Sequence, residues 1–487
     1  MAAAPSSSPV AGEATAREFP AALHALLPWR ARAMGFAERH LVGMRGIVIT
    51  GAALSAIYLL LTLAFPIWSW WYRVDDNLGT IPSHVSWGRP LVALAGPHGL
   101  NIWMTIIAAA IILALFGLQA LALYAARTTR DVQATRRLVL GFAIAFVVIQ
   151  VFMQPITSTD LYGYLARSYL TSQLHQNPTI TLATFLQGGY LVPHARPPAP
   201  YGPLWLLLCW GVGLIAGENL LLAMLVMKAL VAAALLGAIF LVAHLTDKLM
   251  PGGRIQSLIF FAWSPLLIFE AAGNGHNDMV MLVCVLASLA ALQARRPFWA
   301  FPLLALGVLV KYSVGALVPL WIVMIFFVYC WRSPANAKKL TLTWPPTREQ
   351  FALMRRRIDW RRVAGIFVGG GGLAVLIAVV CYAPFWVGLK TFTGLGQQLG
   401  ATYFNGSIAG MVYAALEVVA PGSKSALGSA IRLMLYLSYG GYLFWQIRGL
   451  WRKGSAATVG VLAQYAGKVI FATLVLVTFW YQPWYIT

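Results

Sequence analysis

Five short polar clusters interrupt an otherwise apolar sequence. They are Asp160 within Ser158-Thr159-Asp160-Leu161-Tyr162-Gly163-Tyr164, the run Asn274-Gly275-His276-Asn277-Asp278 rimmed by Glu270, the pair Lys311-Tyr312, Asn405, and Gln482-Pro483-Trp484-Tyr485. A carboxylate suits the removal of a proton from a hydroxyl, and a lysine suits the charge of a phosphate leaving group. Asp160 is the sharpest candidate base, although Asp is also a favoured helix N-cap. The run 274–278 is longer than a simple turn between helices needs. His276 reads either as a phosphate ligand or as a hydrogen-bond partner of Asp278, and Asp278 reads equally as the N-cap of the next helix. Two carboxylates at one cleft suit acid–base work or a divalent metal. A lysine at the bilayer centre costs about 2.5–3.5 kcal/mol. Lys311 therefore belongs near the outer interface, in a wet cavity, or snorkelling to the headgroups. Lys228, Arg432 and Lys468 read as snorkelling or span-boundary residues. The segment 175–202 holds His175, Asn177-Pro178, Gly188-Gly189-Tyr190, His194, Arg196, Pro197-Pro198 and Tyr201-Gly202-Pro203. That composition predicts a rigid, non-helical loop fit to line a sugar or acceptor site. Tyr190, Tyr201 and Trp205 suit stacking on a sugar face, and equally an interfacial aromatic belt.

The elements that must position these residues are helices in a membrane. Of 487 residues, 60% are hydrophobic and 10% charged, with a mean hydropathy of +0.74. Soluble domains carry about 25% charged residues, so a soluble fold, a disordered chain and a nucleic-acid-binding module are excluded. A spanning helix needs about 20 apolar residues. Runs near 46–66, 101–126, 138–156, 219–246, 256–270, 279–294, 298–312, 314–331, 364–385, 427–447 and 458–481 predict an all-α polytopic membrane protein of 11 spans. Of 35 Lys and Arg, 25 fall on alternate segments assigned to the inside, 6 on those outside and 4 within apolar runs. This positive-inside pattern predicts a cytoplasmic N-terminus and a site on the extracytoplasmic face of the plasma (inner) membrane. The +21 net charge then belongs to loops facing anionic lipid, not to a nucleic-acid partner.

Parity requires one crossing between segment 157–202 and 248–254. The short run 203–217 is therefore expected to be half-inserted or surface-lying, with 219–246 as the crossing. Leu161–Leu174 places Tyr162, Leu165, Ala166, Tyr169 and Leu170 at helical spacing, which predicts an amphipathic helix on the bilayer surface. Gly369–Gly372 predicts close helix packing. Cys209, Cys284, Cys330 and Cys381 form no C-x-x-C pair, so no disulfide is expected. The expected organisation is a cytoplasmic tail over 1–45, two additional spans over 46–137, and a catalytic core over 138–487. That core contains an external loop at 157–202 and a basic cytoplasmic loop at 332–363. Residues 1–20 read as a disordered tail, not a signal peptide.

At these residues the chain resembles the C-type (GT-C) membrane glycosyltransferases, specifically bacterial polyprenol-phosphomannose-dependent mannosyltransferases. The motifs are Asp160-Leu161-Tyr162-x-Tyr164, Asn177-Pro178, Tyr201-Gly202-Pro203-Leu204-Trp205, Gly275-His276-Asn277-Asp278, Lys311-Tyr312, Tyr382-Ala383-Pro384-Phe385-Trp386 and Gln482-Pro483-Trp484-Tyr485. They run in family order over 138–485. The resemblance implies a GT-C fold with Asp160 as the catalytic base, and a polyprenyl-phosphate sugar, most simply mannose, as donor. It implies a glycan or glycolipid acceptor and inversion at the anomeric carbon. Lys311, His276, Asn277, Asp278, Tyr162, Tyr164, Tyr201 and Tyr312 are then expected around the donor, and His194, Arg196, Asn405, Gln482 and Trp484 around the acceptor or in the loop. No cofactor beyond an optional divalent metal is implied. Asp75 and Asp76 form a rival acidic site ahead of the core. Family members continue with further helices beyond the Pro-Trp-Tyr motif, whereas this sequence stops at Thr487. The rival classes are a secondary transporter, expected to show two matching halves, and a lipid-sugar flippase.

Overall fold

A computed structural model describes residues 42–69, 102–331, 343, 345–400, 407–419 and 424–478. The described chain is a helical bundle carrying one small β-hairpin. Eight described helices are long and apolar enough to cross a bilayer, as expected of a polytopic membrane protein in which each span must satisfy its own backbone. In chain order the bundle starts with α1 (Gly43–Ala64), α2 (Ile106–Thr128) and α3 (Val132–Val151). Then come α4 (Asp160–Ser172), the strands β1 (Ala183–Phe185) and β2 (Leu191–Arg196), and α5 (Pro203–Ala216). Next are α6 (Leu220–Leu249), α7 (Arg254–Gly273), α8 (Asp278–Gln293), α9 (Pro297–Val310) and α10 (Tyr312–Tyr329). After α11 (Arg348–Arg357) come α12 (Trp360–Phe385), α13 (Thr393–Gly400), α14 (Ile408–Val419) and α15 (Lys424–Lys453). The last described span is α16 (Val459–Val477).

Every run expected to be a span is helical over most of its described residues. Three further apolar helices, α5, α8 and α9, are shorter than these eight spans. The 30-residue α15 covers the expected run 427–447, but its polar positions keep it outside the eight most apolar helices.

Two apolar clusters hold the bundle. One joins α1, α3, α4, α5, α6 and α7 around Phe146, Trp263, Leu161 and Met227. The other joins α8, α9, α10 and α16 around Leu304, Trp321 and Leu462. Trp263 donates its indole N–H to the Val139 carbonyl at 2.9 Å, which satisfies the polar end of a large ring in an apolar interior. Between α8, α9 and α10, Ser288 donates to the Ala300 carbonyl at 2.7 Å and accepts the Trp321 indole N–H at 2.7 Å. Half of the glycine patch behaves as expected. A side chain at Gly370 would meet the Phe298 carbonyl at 2.5 Å, and one at Gly369 would meet its ring at 3.1 Å, whereas Gly371 and Gly372 face open space.

The bundle has two distinct ends. α3 and α6 run antiparallel, tied at one end by Arg136 and Asp247 (2.6 Å) and at the other by Lys228 against the Gln150 carbonyl (3.1 Å). α5 does not carry the chain between these ends. Its Gly202 N–H donates to the Val310 carbonyl (3.1 Å). Its Gly213 lies against Ser168 and Ser172, and Glu218 beyond it accepts the Gly188 N–H (2.7 Å). The helix therefore lies alongside α4 and returns to the same hairpin, and α6 makes the crossing.

α4 forms where expected but is not a surface-lying helix. Leu161 to Ser168 are all buried, because the hairpin and α5 cover the face that would otherwise meet headgroups. Arg167 is 5% exposed. It donates to the Gly163 carbonyl (2.8 Å) and the Pro197 carbonyl (3.0 Å), tying the loop onto the helix.

Candidate active site

The site is assembled where α3 ends and α4 begins. After Val151 the chain cannot continue α3, and the connector pairs instead with the end of α1. Ile67 N–H donates to the Phe152 carbonyl (2.7 Å) and Gln154 N–H to the Phe65 carbonyl (2.8 Å). The Asn274 carboxamide then clasps the next two residues. Its Oδ1 accepts the N–H groups of Ile156 (3.1 Å) and Thr157 (3.4 Å), and its Nδ2 donates to Thr157 Oγ1 (2.7 Å) and Glu270 Oε2 (2.9 Å). Arg196, from β2, donates to the Thr159 carbonyl (2.8 Å) and Thr159 Oγ1 (2.6 Å). Asp160 follows in the first turn of α4, with Thr159 at the N-cap position. Asp160 is thus not the N-cap, and its carboxylate, 28% exposed, is free of capping duty. The positive end of the helix dipole favours its charge.

The turn after α7 brings a second carboxylate to the first. α7 ends in a wide π-type turn over Ile268–Gly273, and Gly275 takes φ +78°, a left-handed value that favours glycine. A side chain at Gly275 would also meet Leu161 Cδ1 at 2.9 Å, so the turn closes directly onto α4. His276, 2% exposed, lies between two acids: Nδ1 is 3.5 Å from Asp160 Oδ2 and Nε2 is 3.4 Å from Glu270 Oε2. His276 reads from the sequence as a phosphate ligand or a partner of Asp278; the structure turns it to Asp160 and Glu270. The imidazole bridges the partly exposed carboxylate on α4 and the buried one of Glu270, which needs a partner most.

Asp278 instead meets Lys311, whose Nζ lies 2.6 Å from Asp278 Oδ1. Asn277, not Asp278, occupies the N-cap position of α8. Lys311 ends α9 with an extended backbone, which turns its side chain to the top of the neighbouring helix. The next residue, Tyr312, donates to the Tyr201 carbonyl (3.3 Å) and shares a hydrogen bond with Tyr382 (3.0 Å). Gly202 is required there, because a β-carbon would sit 2.1 Å from the Leu309 carbonyl oxygen. Tyr164 packs edge-on against Tyr201 and Trp205, with ring centroids at 5.4 and 4.9 Å. Its hydroxyl is pushed well above the ordinary tyrosine range, by burial first, with Tyr201, Asp160 and Asp278 adding in the same direction. One hydroxyl thus lies within the field of both aspartates. Asn177 donates to the Phe385 carbonyl (2.9 Å), so the Asn-Pro and Tyr-Ala-Pro-Phe-Trp motifs also meet.

The structure therefore brings together Asp160, His276, Asp278, Lys311, Tyr312, Tyr201 and Arg196. Tyr162 and Tyr164 are placed differently from the expectation that they face the donor. At 0% and 1% exposed they are part of the core, because the stretch Leu161–Ser168 of α4 is covered by its neighbours. Trp205 is likewise fully buried and offers no face to a sugar, whereas Tyr190 is exposed. Asn277 is enclosed, and its carboxamide has no hydrogen-bond partner among the described residues. His194 lies on β2, its side chain outside the described set, as are Asn405, Gln482, Trp484, Asp75 and Asp76. Sequence reasoning assigned no site role to Thr157, Thr159, Arg167 or Lys228. Hydroxyls and cations in such stretches carry no distinguishing spacing. Among the described residues no three His, Cys, Asp or Glu side chains are grouped as ligands for a metal ion.

Comparison with known proteins finds mannosyltransferases. Relatives include an alpha-(1->6)-mannopyranosyltransferase of Mycobacterium tuberculosis, 31% identical over 137 residues, which cover 26% of this chain and 22% of that protein. Another is a probable alpha-(1->6)-mannopyranosyltransferase of Mycolicibacterium smegmatis, 28% identical over 162 residues, or 31% of this chain and 28% of that protein. The aligned stretches thus span less than a third of either relative. No solved structure matches the chain. The family described as alpha-(1->6)-mannopyranosyltransferase, N-terminal domain, matches residues 77–327, which hold every described acid and base of the site. Since that match covers just over half of the 487 residues, the chain belongs to the alpha-(1->6)-mannopyranosyltransferase family.

Proposed function

We propose that this protein transfers a mannosyl residue from a polyprenyl-phosphate donor to a hydroxyl of a glycan or glycolipid acceptor, at the extracytoplasmic face of the plasma membrane. The observation that carries the reading is that one turn, 276–278, holds His276 against Asp160, the partly exposed base candidate, and Asp278 against Lys311. The acceptor oxygen attacks C1 as Asp160 takes its proton. The C1–O bond to phosphate breaks, and its electron pair leaves with the phosphate. Lys311 Nζ turns from Asp278 to meet that charge. A single displacement inverts C1, so a β-linked donor gives an α product, the linkage type in the relatives' names. No nucleotide-binding element is needed, because the activated leaving group arrives on a lipid. Proximity and general-base catalysis supply the rate.

The test is mannosyl transfer from a prenyl-phosphate mannose by the purified protein and its Asp160→Asn variant. Removal of the base is expected to lower kcat by about 10²–10⁴-fold, the usual range for a general base, with folding unchanged. Near-normal transfer by the variant rejects Asp160 as base.

A further inference from the structure

Lys228 is the buried cation that the chemistry above leaves unused. It lies in the apolar α6 and is fully buried, so its side chain does not snorkel to either surface. Instead Nζ donates to the Gln150 carbonyl at 3.1 Å and to the Met153 carbonyl. Those two carbonyls bracket the end of α3. The last carbonyls of a helix have no partner within it, and within a bilayer each unsatisfied one costs several kcal/mol. Here the neighbours are already committed: the Gln150 carbonyl also takes the Met153 N–H (3.2 Å), the Phe152 carbonyl accepts Ile67 N–H and Gln154 N–H donates to the Phe65 carbonyl, so the Met153 carbonyl is the acceptor that most needs Lys228. Gln150 in turn donates from its side chain to the Tyr58 carbonyl (3.1 Å) and Thr62 Oγ1 (3.2 Å). The lysine arm also touches the opposing turn. A β-carbon on Gly275 would lie 3.6 Å from Lys228 Cγ, and one on Gly273 would lie 2.7 Å from Met153 Cε.

We propose that Lys228 is a positioning residue for Asp160. From α6 it ends α3 at a fixed residue and wedges the connector 150–160 against the turn 273–278, setting the reach between Asp160 and His276. The proposal rests on the transfer reading for its kinetic consequence, but not for its structural one. A helix terminus that slides by one residue moves Asp160 by more than an ångström, and a misplacement of that size costs about 10²-fold in rate.

The experiment compares the full-length protein in lipid nanodiscs with Lys228→Met, which keeps length and apolarity but removes the donors, and Lys228→Gln, which keeps donors on a shorter arm. Lys228→Met is expected to lower kcat for mannosyl transfer about 10²-fold with the KM for donor unchanged. Amides of 152–160 and 274–277 should exchange hydrogen faster while α8, α9 and α10 keep their protection, and Lys228→Gln should recover part of both effects. Unchanged protection of 152–160, a wild-type kcat, or loss of protection throughout the bundle overturns the proposal. Asp160→Asn run in parallel separates the two ideas. If that variant still transfers mannose, the transfer mechanism fails, and local exchange in Lys228→Met still decides the role of Lys228.

Discussion

The two ends of the bundle hold ionisable side chains in opposite ways. At the Asp160 end, Glu270 and His276 are buried and Lys311 and Asp278 largely so; His276 lies 3.5 and 3.4 Å from the Asp160 and Glu270 carboxylates, and Lys311 lies 2.6 Å from Asp278. At the other end Arg295, Arg296, Arg348, Arg355, Arg356, Arg361 and Arg362 are exposed, and the Arg362–Asp359 contact is a loose 3.5 Å pair within one turn. Water and headgroups solvate the second set individually, so their number matters and their geometry does not. Desolvated charges are tolerated only in specific pairs, so at the first end geometry is everything. A cation excess therefore reports orientation, and a paired buried cluster reports chemistry.

The comparison breaks most visibly at Lys311. Lys311→Met leaves Asp278 facing an apolar neighbour without its partner at 2.6 Å. Removing one member of a buried pair costs about 3–5 kcal/mol. Both side chains keep some solvent contact, at 22% and 14% exposed, so about half that range is expected, read as a lowered thermal unfolding midpoint in detergent. The double variant Lys311→Met/Asp278→Asn should recover most of the stability and none of the transfer activity. Recovery of activity as well would place the leaving-group charge elsewhere.

A smaller effect tests backbone fit at the same end. Gly202→Ala keeps the N–H donated to the Val310 carbonyl but drives a methyl to within 2.1 Å of the Leu309 carbonyl oxygen. Overpacking of this kind costs about 1–3 kcal/mol. Because Leu309 is two residues before Lys311, the shift should also raise the KM for donor. A variant with wild-type midpoint and KM shows that the α5–α9 approach is not what sets Lys311.

Much of this architecture was legible in the sequence, for a physical reason. A span must be apolar for about 20 residues, and no side-chain partner is needed to see that, so α1, α3, α6 and α12 were visible directly. The convergence of Asp160, 274–278 and Lys311 was also visible, because alternation of spans places their ends on one face. Pairings were not. Adjacency suggested His276 with Asp278, whereas the π-type turn and Gly275 rotate the imidazole toward Asp160, 116 positions earlier in the sequence. Lys228 was read as snorkelling because its acceptors are backbone carbonyls, which every residue carries and which leave no mark in a sequence. The helical spacing of Tyr162, Leu165, Ala166, Tyr169 and Leu170 points to a surface-lying α4, because a linear pattern shows one apolar face and nothing of what encloses Arg167. The carbonyls of Gly163 and Pro197 that take it inside belong to a fold the pattern does not contain.

The smallest effect belongs to the far end and is the control that sharpens the contrast. Arg136 and Asp247 make as short a contact as Lys311 and Asp278, at 2.6 Å, yet their side chains are 31% and 25% exposed. An ion pair with that much solvent is worth about 0.2–1 kcal/mol. Arg136→Gln is therefore expected to lower the unfolding midpoint only slightly, with the loss growing at low salt and vanishing at high salt. Mannosyl transfer should be unaffected, because α3 and α6 lie between this pair and Asp160. Equal contact distance with unequal consequence would establish burial, not proximity, as what separates the two ends. A loss of transfer in Arg136→Gln comparable to that in Lys311→Met would instead mean that the α3–α6 register is set from the far end, and would remove Lys228 from its place at the near one.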